Sequence, residues 1–188
     1  LMLSLKGDIF MHRKTRKVKT QYLVMAAFLT ALSIVLTRLL SVMLPEVRIG
    51  FGRVPITLSG LLFGPFLGGI SGAAADLVGM LIFPTGAYHP GFTISSMLDG
   101  LIPGLFLFYF KRNPVMGKYY TAKRIFLVQL ITISLNSIVL NTLWLTQYLG
   151  RGYMILLPAR FINAIINLPI QTFIVYTIIR YLNRFVRD

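Results

Sequence analysis

The sequence predicts an all-α integral membrane protein, a bundle of six transmembrane helices with both termini in the cytoplasm. The chain is 56% hydrophobic and only 13% charged, and its mean hydropathy of +0.75 is far above that of a soluble domain of this length. Its apolar residues form runs close to the ~20 residues that a helix needs to cross a bilayer. Its basic residues are clustered between those runs rather than along one soluble face, which argues against nucleic acid as a partner.

Six apolar runs are predicted to form the helices. They cover residues 22–44, 54–63, 66–83, 92–110, 125–148 and 154–182. Residues 1–19 are expected to be a cytoplasmic N-terminal extension and residues 20–188 one six-helix membrane domain. The second run is too short to cross alone, because Gly64 and Pro65 form a turn that ends its helix. We therefore expect the preceding loop, residues 45–52, to dip inward or to fold over the top as a lid.

Clusters of lysine and arginine orient the predicted helices. Three clusters lie before the first helix, between the fourth and fifth helices, and after the sixth, and the positive-inside rule assigns all three to the cytoplasm. They comprise Lys6, Arg13, Lys14, Arg16, Lys17, Lys19, Lys111, Arg112, Lys118, Lys123, Arg124, Arg180, Arg184 and Arg187. Both termini are therefore predicted to lie inside.

Five arginines, and no lysine, remain on the predicted outer side. They are Arg38, Arg48, Arg53, Arg151 and Arg160. An arginine in the middle of a membrane helix costs about 2.5–3.5 kcal/mol on insertion scales, so each needs a partner or an aqueous cavity. Ligand contact is favoured for Arg48 and Arg53, because a guanidinium binds carboxylates with two parallel bonds. Pairing with acids or lipid headgroups is favoured for Arg38 and Arg151.

Three acids share that side, with Glu46 in a loop and Asp76 and Asp99 inside predicted helices. Against five arginines they leave an excess of two positive charges, which an anionic ligand would balance. Ionisable groups within membrane helices are functional candidates. For Asp76, ligand contact and a helix-locking pair with an arginine are equally open. For Asp99, on the same helix face as Ser95 and Ser96, ligand contact is favoured.

Two polar stripes at helical spacing are predicted to face the bundle interior. The stripe on the sixth helix consists of Arg160, Asn163, Asn167 and Gln171. The stripe on the fifth helix consists of Ser137, Asn141, Trp144 and Tyr148. Trp144 is the only tryptophan of the chain, and with Tyr88 and Phe92 it could stack on a flat aromatic ligand. Tyr148 fits an interfacial aromatic belt better.

The sequence offers neither a metal site nor a catalytic set. There is no cysteine, which excludes disulfides and thiolate chemistry. His12 and His89 are predicted on opposite sides of the membrane, so they cannot share a metal. Neither a phosphate-binding glycine loop with lysine nor a set of serine, histidine and acid on one side is present. We therefore expect no catalytic residues, no metal and no cofactor.

Residues 83–93 form a polar, turn-rich and aromatic break between two strongly apolar segments. Associated segments are Leu62-Phe63-Gly64-Pro65, Gly72-Ala73-Ala74-Ala75-Asp76 and Ser95-Ser96. Together they resemble the folate-specific substrate-binding (S) subunit of energy-coupling factor (ECF) vitamin transporters, over about residues 20–185. The resemblance implies a cell-membrane subunit that binds folate and joins one transmembrane coupling subunit and two cytoplasmic ATPases, whose ATP hydrolysis powers uptake.

The resemblance implicates the first loop, the third loop and the inward faces of the last three helices in binding. The candidate substrate-binding residues are Arg48, Arg53, Asp76, Thr85, Gly86, Tyr88, Phe92, Thr93, Ser96, Asp99, Asn141, Trp144, Arg160 and Asn163. A pterin presents an amino group beside a ring N–H, two parallel donors that match the oxygens of one carboxylate. Asp99, or failing that Asp76, is the carboxylate predicted to bind this edge.

Ala27 and Ala31 lie one turn apart on the first predicted helix. Small residues at that spacing let another helix approach closely in lipid. The resemblance implies that such an Ala-x-x-x-Ala motif meets the transmembrane coupling subunit. Packing inside the bundle is the alternative.

Two alternative functions stay open. One is a sister S subunit for pantothenate or riboflavin, although neutral riboflavin would call for fewer outer arginines. The other, more distant, is a membrane-embedded enzyme acting on a lipid or isoprenoid, which would usually need more acids or a metal set than two aspartates provide.

Overall fold

The computed structural model describes residues 20–39, 41–43, 48–84, 87–110, 120–150 and 152–185. The helices are α1 (Thr20–Arg38), α2 (Arg53–Phe63), α3 (Pro65–Ile82), α4 (Pro90–Phe110), α5 (Ala122–Ile133), α6 (Asn141–Leu149) and α7 (Tyr153–Phe185). A π-helical segment, Ser134–Leu140, joins α5 to α6, and two short strands, β1 (Val42–Met43) and β2 (Arg48–Ile49), pair antiparallel. The described chain thus has six continuous helical stretches, which confirms the predicted all-α class, and one strand pair that was not predicted.

Four of these stretches are long and apolar enough to cross a membrane. They are Thr20–Arg38, Pro65–Ile82, Ala122–Leu149 and Tyr153–Leu182. The apolar helix α2 is shorter, with 11 residues, because the chain turns at Gly64, whose φ is +99°. Pro65 then begins α3, where its missing N–H costs no helical hydrogen bond. The first predicted basic cluster lies outside the described residues, as do Lys111, Arg112, Lys118 and Arg187 of the other two. Lys123 and Arg124 lie in α5, and Arg180 and Arg184 lie in α7.

The first helix is shorter than predicted, because it ends at Arg38 instead of continuing to residue 44. The chain then becomes extended and forms the β1–β2 pair, in which Val42 faces Ile49; β-branched residues favour such a conformation. The end of this loop is held between helices. Ser33 Oγ donates to Gly52 O at 2.6 Å, and Gln171 Nε2 donates to Gly50 O at 3.3 Å. The predicted loop therefore enters the space between α1 and α7.

Glycines bring α2, α3 and α4 into backbone contact. A Cβ atom on Gly60 would lie 2.2 Å from Gly100 O, and one on Gly100 would lie 2.0 Å from Gly68 O. Likewise, a Cβ on Gly104 would lie 2.4 Å from Pro65 Cα. Small residues are what permit such close approach between membrane helices. These three helices therefore form a tightly packed layer whose spacing is set by the backbone.

The apolar core lies at one end of the bundle. It comprises Val54, Leu58, Leu61, Ile125, Val175 and Ile179. At this end Tyr120 Oη donates to Leu61 O at 2.7 Å, and burial raises the pKa of Tyr120 to about 12, so the phenol stays a donor well above neutral pH. The buried polar residues Asp99 and Asn136 are not part of this apolar cluster.

The π-helical segment changes the register of the fifth predicted helix. Thr142 Oγ1 donates to Ser137 O at 3.0 Å, and Tyr153 Oη of α7 donates to Ile138 O at 3.0 Å. Hydrogen bonds from residue i to i+5 make each turn wider than in an α-helix. The regular α-helical spacing that the sequence analysis assumed therefore fails only between Ser137 and Asn141, because Asn141–Leu149 is an α-helix.

Candidate ligand-binding site

A cavity of about 700 Å³ opens between α1, α2, α3, α4, α7 and the helical stretch from α5 to α6, within the size range of small-molecule sites. Its described charged residues are Arg38, Arg53, Arg160, Asp76 and Asp99. Three guanidinium groups therefore face two carboxylates, which leaves an excess of one positive charge. Such a wall favours an anionic ligand.

Asp99 is the centre of the buried polar cluster. Arg53 Nε lies 3.1 Å from Asp99 Oδ2, and Asn136 Nδ2 donates to Asp99 Oδ1 at 2.5 Å. Asn136 Nδ2 also donates to Ser95 O at 2.9 Å. Asp99 is only 4% exposed, and a buried charge requires such partners because desolvation is costly. Both carboxylate oxygens of Asp99 are thus engaged, one by a cation and one by an amide.

Asp76 is less buried and accepts a hydrogen bond from the first turn of α4. Thr93 Oγ1 donates to Asp76 Oδ2 at 2.7 Å. Tyr88 Oη lies 3.1 Å from Thr93 Oγ1. Because a hydroxyl has one proton and that of Thr93 is directed at the carboxylate, Tyr88 must be the donor in this second bond. The result is an ordered relay from Tyr88 through Thr93 to Asp76.

Trp144 packs behind the cavity wall. Its indole Nε1 donates to Ser95 Oγ at 3.2 Å, and its ring centroid lies 5.7 Å from that of His89. A Cβ atom on Gly91 would lie 2.3 Å from the indole, so only glycine fits there. His89 in turn meets Phe92 edge to face, at 5.7 Å. Trp144 therefore supports His89, which in turn contacts Phe92; both of these line the cavity, and Trp144 is not itself among the described lining residues.

Most of the described candidate residues lie around the same cavity. Its lining includes Arg53, Asp76, Tyr88, Phe92, Ser96, Asp99, Asn141, Arg160 and Asn163. Thr93 reaches the cavity through its bond to Asp76. Thr85 and Gly86 lie outside the described residues, as does Arg151, and Arg48 is described only by its backbone position in β2.

Sequence reasoning missed Asn136 and underrated Arg38. Asn136 is fully buried and directly contacts Asp99, but it stands next to Ser137 and falls off the regular stripe. Its signal was an amide side chain within an apolar helix. The sequence analysis predicted that Arg38 pairs with acids or lipid headgroups. The structure places it on the cavity wall, where its guanidinium would lie 3.3 Å from a Cβ on Gly79.

Known proteins are similar to this chain over most of its length. Residues 17–182 match a family model described as "ECF-type riboflavin transporter, S component". "Folate transporter FolT" of Clostridium novyi (strain NT) is 40% identical over 159 residues, 84% of this chain and 87% of that protein. "Folate transporter FolT" of Leuconostoc mesenteroides is 32% identical over 161 residues, 85% of each. Among solved structures, "Crystal structure of FolT bound with folic acid" aligns with a TM-score of 0.72 and 34% identity, over 85% of this chain and 92% of that one.

Proposed function

We propose, from the premise that the chain belongs to the family of ECF-type riboflavin transporter S components, that it is the folate-binding subunit of an ATP-driven vitamin uptake transporter. It is a multi-pass protein of the cell membrane and not an enzyme, in keeping with its family and its apolar helices. The observation that carries the folate assignment is the likeness, over 85% of the chain, to FolT bound with folic acid.

The charges of the cavity support an anionic vitamin. Folate carries two carboxylates on its glutamate tail, and we assign these to some of Arg48, Arg53 and Arg160. Arg160 is the best supported of the three, because it lines the cavity and has no carboxylate partner among the described residues. Arg53 lines the cavity too, although its Nε is already directed at Asp99. The role of Arg48 stays a prediction.

Replacing Arg160 with glutamine is expected to weaken folate binding by roughly 10- to 150-fold, because a charge-assisted hydrogen bond contributes about 1.5–3 kcal/mol. Pteroate, which lacks the glutamate tail, should bind the parent more weakly than folate does and should lose less than about threefold on the same replacement. Isothermal titration of the purified protein measures both. Arg180→Gln, an exposed arginine on the same helix, is the matched control. Equal losses of affinity for folate and for pteroate would show that Arg160 does not bind the glutamate tail.

Riboflavin is the second candidate, since the matching family model is described by that vitamin. An uncharged isoalloxazine would leave the positive excess of the cavity unbalanced, which is why folate is favoured. Incubating the purified protein with folate, riboflavin and pantothenate and identifying the retained vitamin by mass spectrometry separates the candidates. Retention of folate is expected, and retention of riboflavin in its place would overturn the assignment.

Both termini are proposed to lie in the cytoplasm, on the positive-inside argument. The chain contains no cysteine, so single cysteines can report topology. Ala87→Cys and Gly152→Cys should react with an impermeant thiol reagent in intact cells, whereas Gly117→Cys should not. Gly152 is preferred to Gly150, whose φ of +66° would strain a side chain. Labelling only at position 117 would show that the orientation is the opposite of the one proposed.

The family implies a partner module of one transmembrane coupling subunit and two cytoplasmic ATPases, and we propose α1 as the docking helix. Ala27 and Ala31 are both exposed, beside Phe28 at 68% exposure. Exposure disfavours the alternative in which these alanines pack inside the bundle. They instead leave a shallow apolar surface on which a partner helix fits closely.

A further inference from the structure

The amide side chains of α7 form a directed chain of hydrogen bonds along the cavity wall. Gln171 Nε2 donates to Gly50 O at 3.3 Å and to Asn167 Oδ1 at 3.4 Å. Asn167 Nδ2 donates to Asn163 O at 2.9 Å and also to Asn163 Oδ1. Because a backbone carbonyl can only accept, Gly50 O and Asn163 O fix which end of each amide carries the NH2 group. The chain therefore has a defined direction: Gln171 donates to Asn167, Asn167 donates to Asn163, and Gln171 Oε1 is left as an unused acceptor.

Two residues that line the cavity keep buried carbonyl oxygens without a hydrogen-bond partner among the described residues. They are Asn141, with its Oδ1, and Gln171, with its Oε1. Gln171 is only 2% exposed. A buried acceptor that lacks a donor is unfavourable, and a ligand that supplies the donor recovers that free energy on binding. Both atoms are hydrogen-bond acceptors, so they favour a ligand that presents N–H groups and disfavour a carboxylate.

The Gln171 amide is also weakly held where it stands. Its two hydrogen bonds, at 3.3 and 3.4 Å, are longer than the usual 2.7–3.2 Å. The terminal torsion of glutamine is broad, so the amide can turn at low cost. Gln171 Oε1 can therefore turn to meet a donor without the loss of a strong hydrogen bond.

Building on the folate assignment above, we infer that the amide oxygens of Asn141 and Gln171 accept the two parallel donors of the pterin, its 2-amino group and N3–H. Asp99 is then a positioning residue for Arg53, because Asn136 already occupies its Oδ1 and Arg53 its Oδ2. The tail carboxylates are directed away from these acceptors, towards Arg160. Neutral acceptors of this kind select a ligand by its donors, independently of its charge.

The test compares folate with an analogue whose 2-amino group is replaced by methyl, in the purified full chain. Gln171→Met and Asn141→Leu remove the acceptors with little change in volume. Each is expected to weaken folate binding by about 10- to 100-fold. For at least one variant, the affinity for the analogue should fall by less than about threefold. The analogue lacks the donor that the variant would leave without an acceptor.

Gln129→Met is the matched control, since Gln129 is an equally buried glutamine that is not among the described lining residues of the cavity; it should leave the affinity for both ligands unchanged. Quenching of Trp144, the single tryptophan, reports binding.

If Gln171→Met does not fold, Asn141→Leu carries the same comparison. Losses that are equal for folate and the analogue in both variants overturn the inference, as does an analogue effect found at Asp76→Asn or Asp99→Asn instead. Failure of the parent to bind folate at all would instead overturn the folate assignment.

Discussion

Asp99→Asn is expected to weaken folate binding by roughly thirty-fold to several thousand-fold. Breaking a buried, hydrogen-bonded charge pair costs about 2–5 kcal/mol, much of it because the remaining charge is left without a partner. Here the remaining charge is Arg53, whose side chain is 26% exposed. Asparagine retains the shape of aspartate, but it can present an NH2 group where Arg53 or Asn136 requires an acceptor. Titration of the purified variant with folate measures the loss.

Two further variants separate the roles of the carboxylates. If Asp99 acts by holding Arg53, then Arg53→Gln combined with Asp99→Asn should cost little more than Asp99→Asn alone, since the pair acts as a unit. Asp76→Asn tests the other carboxylate, which accepts from Thr93. Thermal unfolding of each variant without ligand separates lost binding from lost stability. Folate affinity equal to that of the parent in both Asp76→Asn and Asp99→Asn would exclude a role for either carboxylate in recognition.

Ala27→Trp combined with Ala31→Trp is expected to abolish co-purification with the coupling subunit and ATP-driven folate uptake. Two indoles on this exposed surface prevent a partner helix from approaching, and close packing supplies much of the association energy in lipid. Folate binding by the isolated double variant should stay nearly intact. Calorimetry is the appropriate measurement, because the added tryptophans obscure the signal of Trp144.

The control for this prediction places two tryptophans elsewhere on the exposed surface. Phe66 and Phe173 are each 71% exposed, on α3 and α7. Phe66→Trp with Phe173→Trp should therefore leave both assembly and uptake unchanged. Loss of folate binding in the isolated Ala27 and Ala31 double variant would place that motif inside the bundle and leave the docking surface unassigned.

Local patterns predicted the helices well and the contacts between them less well. The turn at Gly64 and Pro65 is encoded by two adjacent residues, and the structure has it there. The end of α1 was wrong by six residues, because residues 39–44 are apolar enough to continue a helix and only pairing with Ile49 draws Val42 into a strand. That pairing depends on residues beyond the helix itself.

In the candidate site, too, the sequence predicted the important residues better than the contacts between helices. The excess of arginine over acid was visible in the sequence, and it brought Arg53, Arg160 and Asp99 to attention before any geometry was known. The contact between Asn136 and Asp99 joins residues 37 positions apart, and Asn136 lies within the π-helical segment. Periodicity within one helix does not predict such a contact, because the contact is set by the packing of two helices that are far apart in the sequence.

The glycine contacts of α2, α3 and α4 also bear on how such a protein can change its ligand during evolution. At Gly60, Gly68 and Gly100 even one added methyl group would overlap the backbone of a neighbouring helix, so mutation at these positions is penalised whatever the ligand. The inward positions of α6 and α7 carry full side chains that can be exchanged without moving a helix. A lineage that acquires a new vitamin is therefore expected to change side chains that line the cavity, in either half of the chain, while it keeps these glycines.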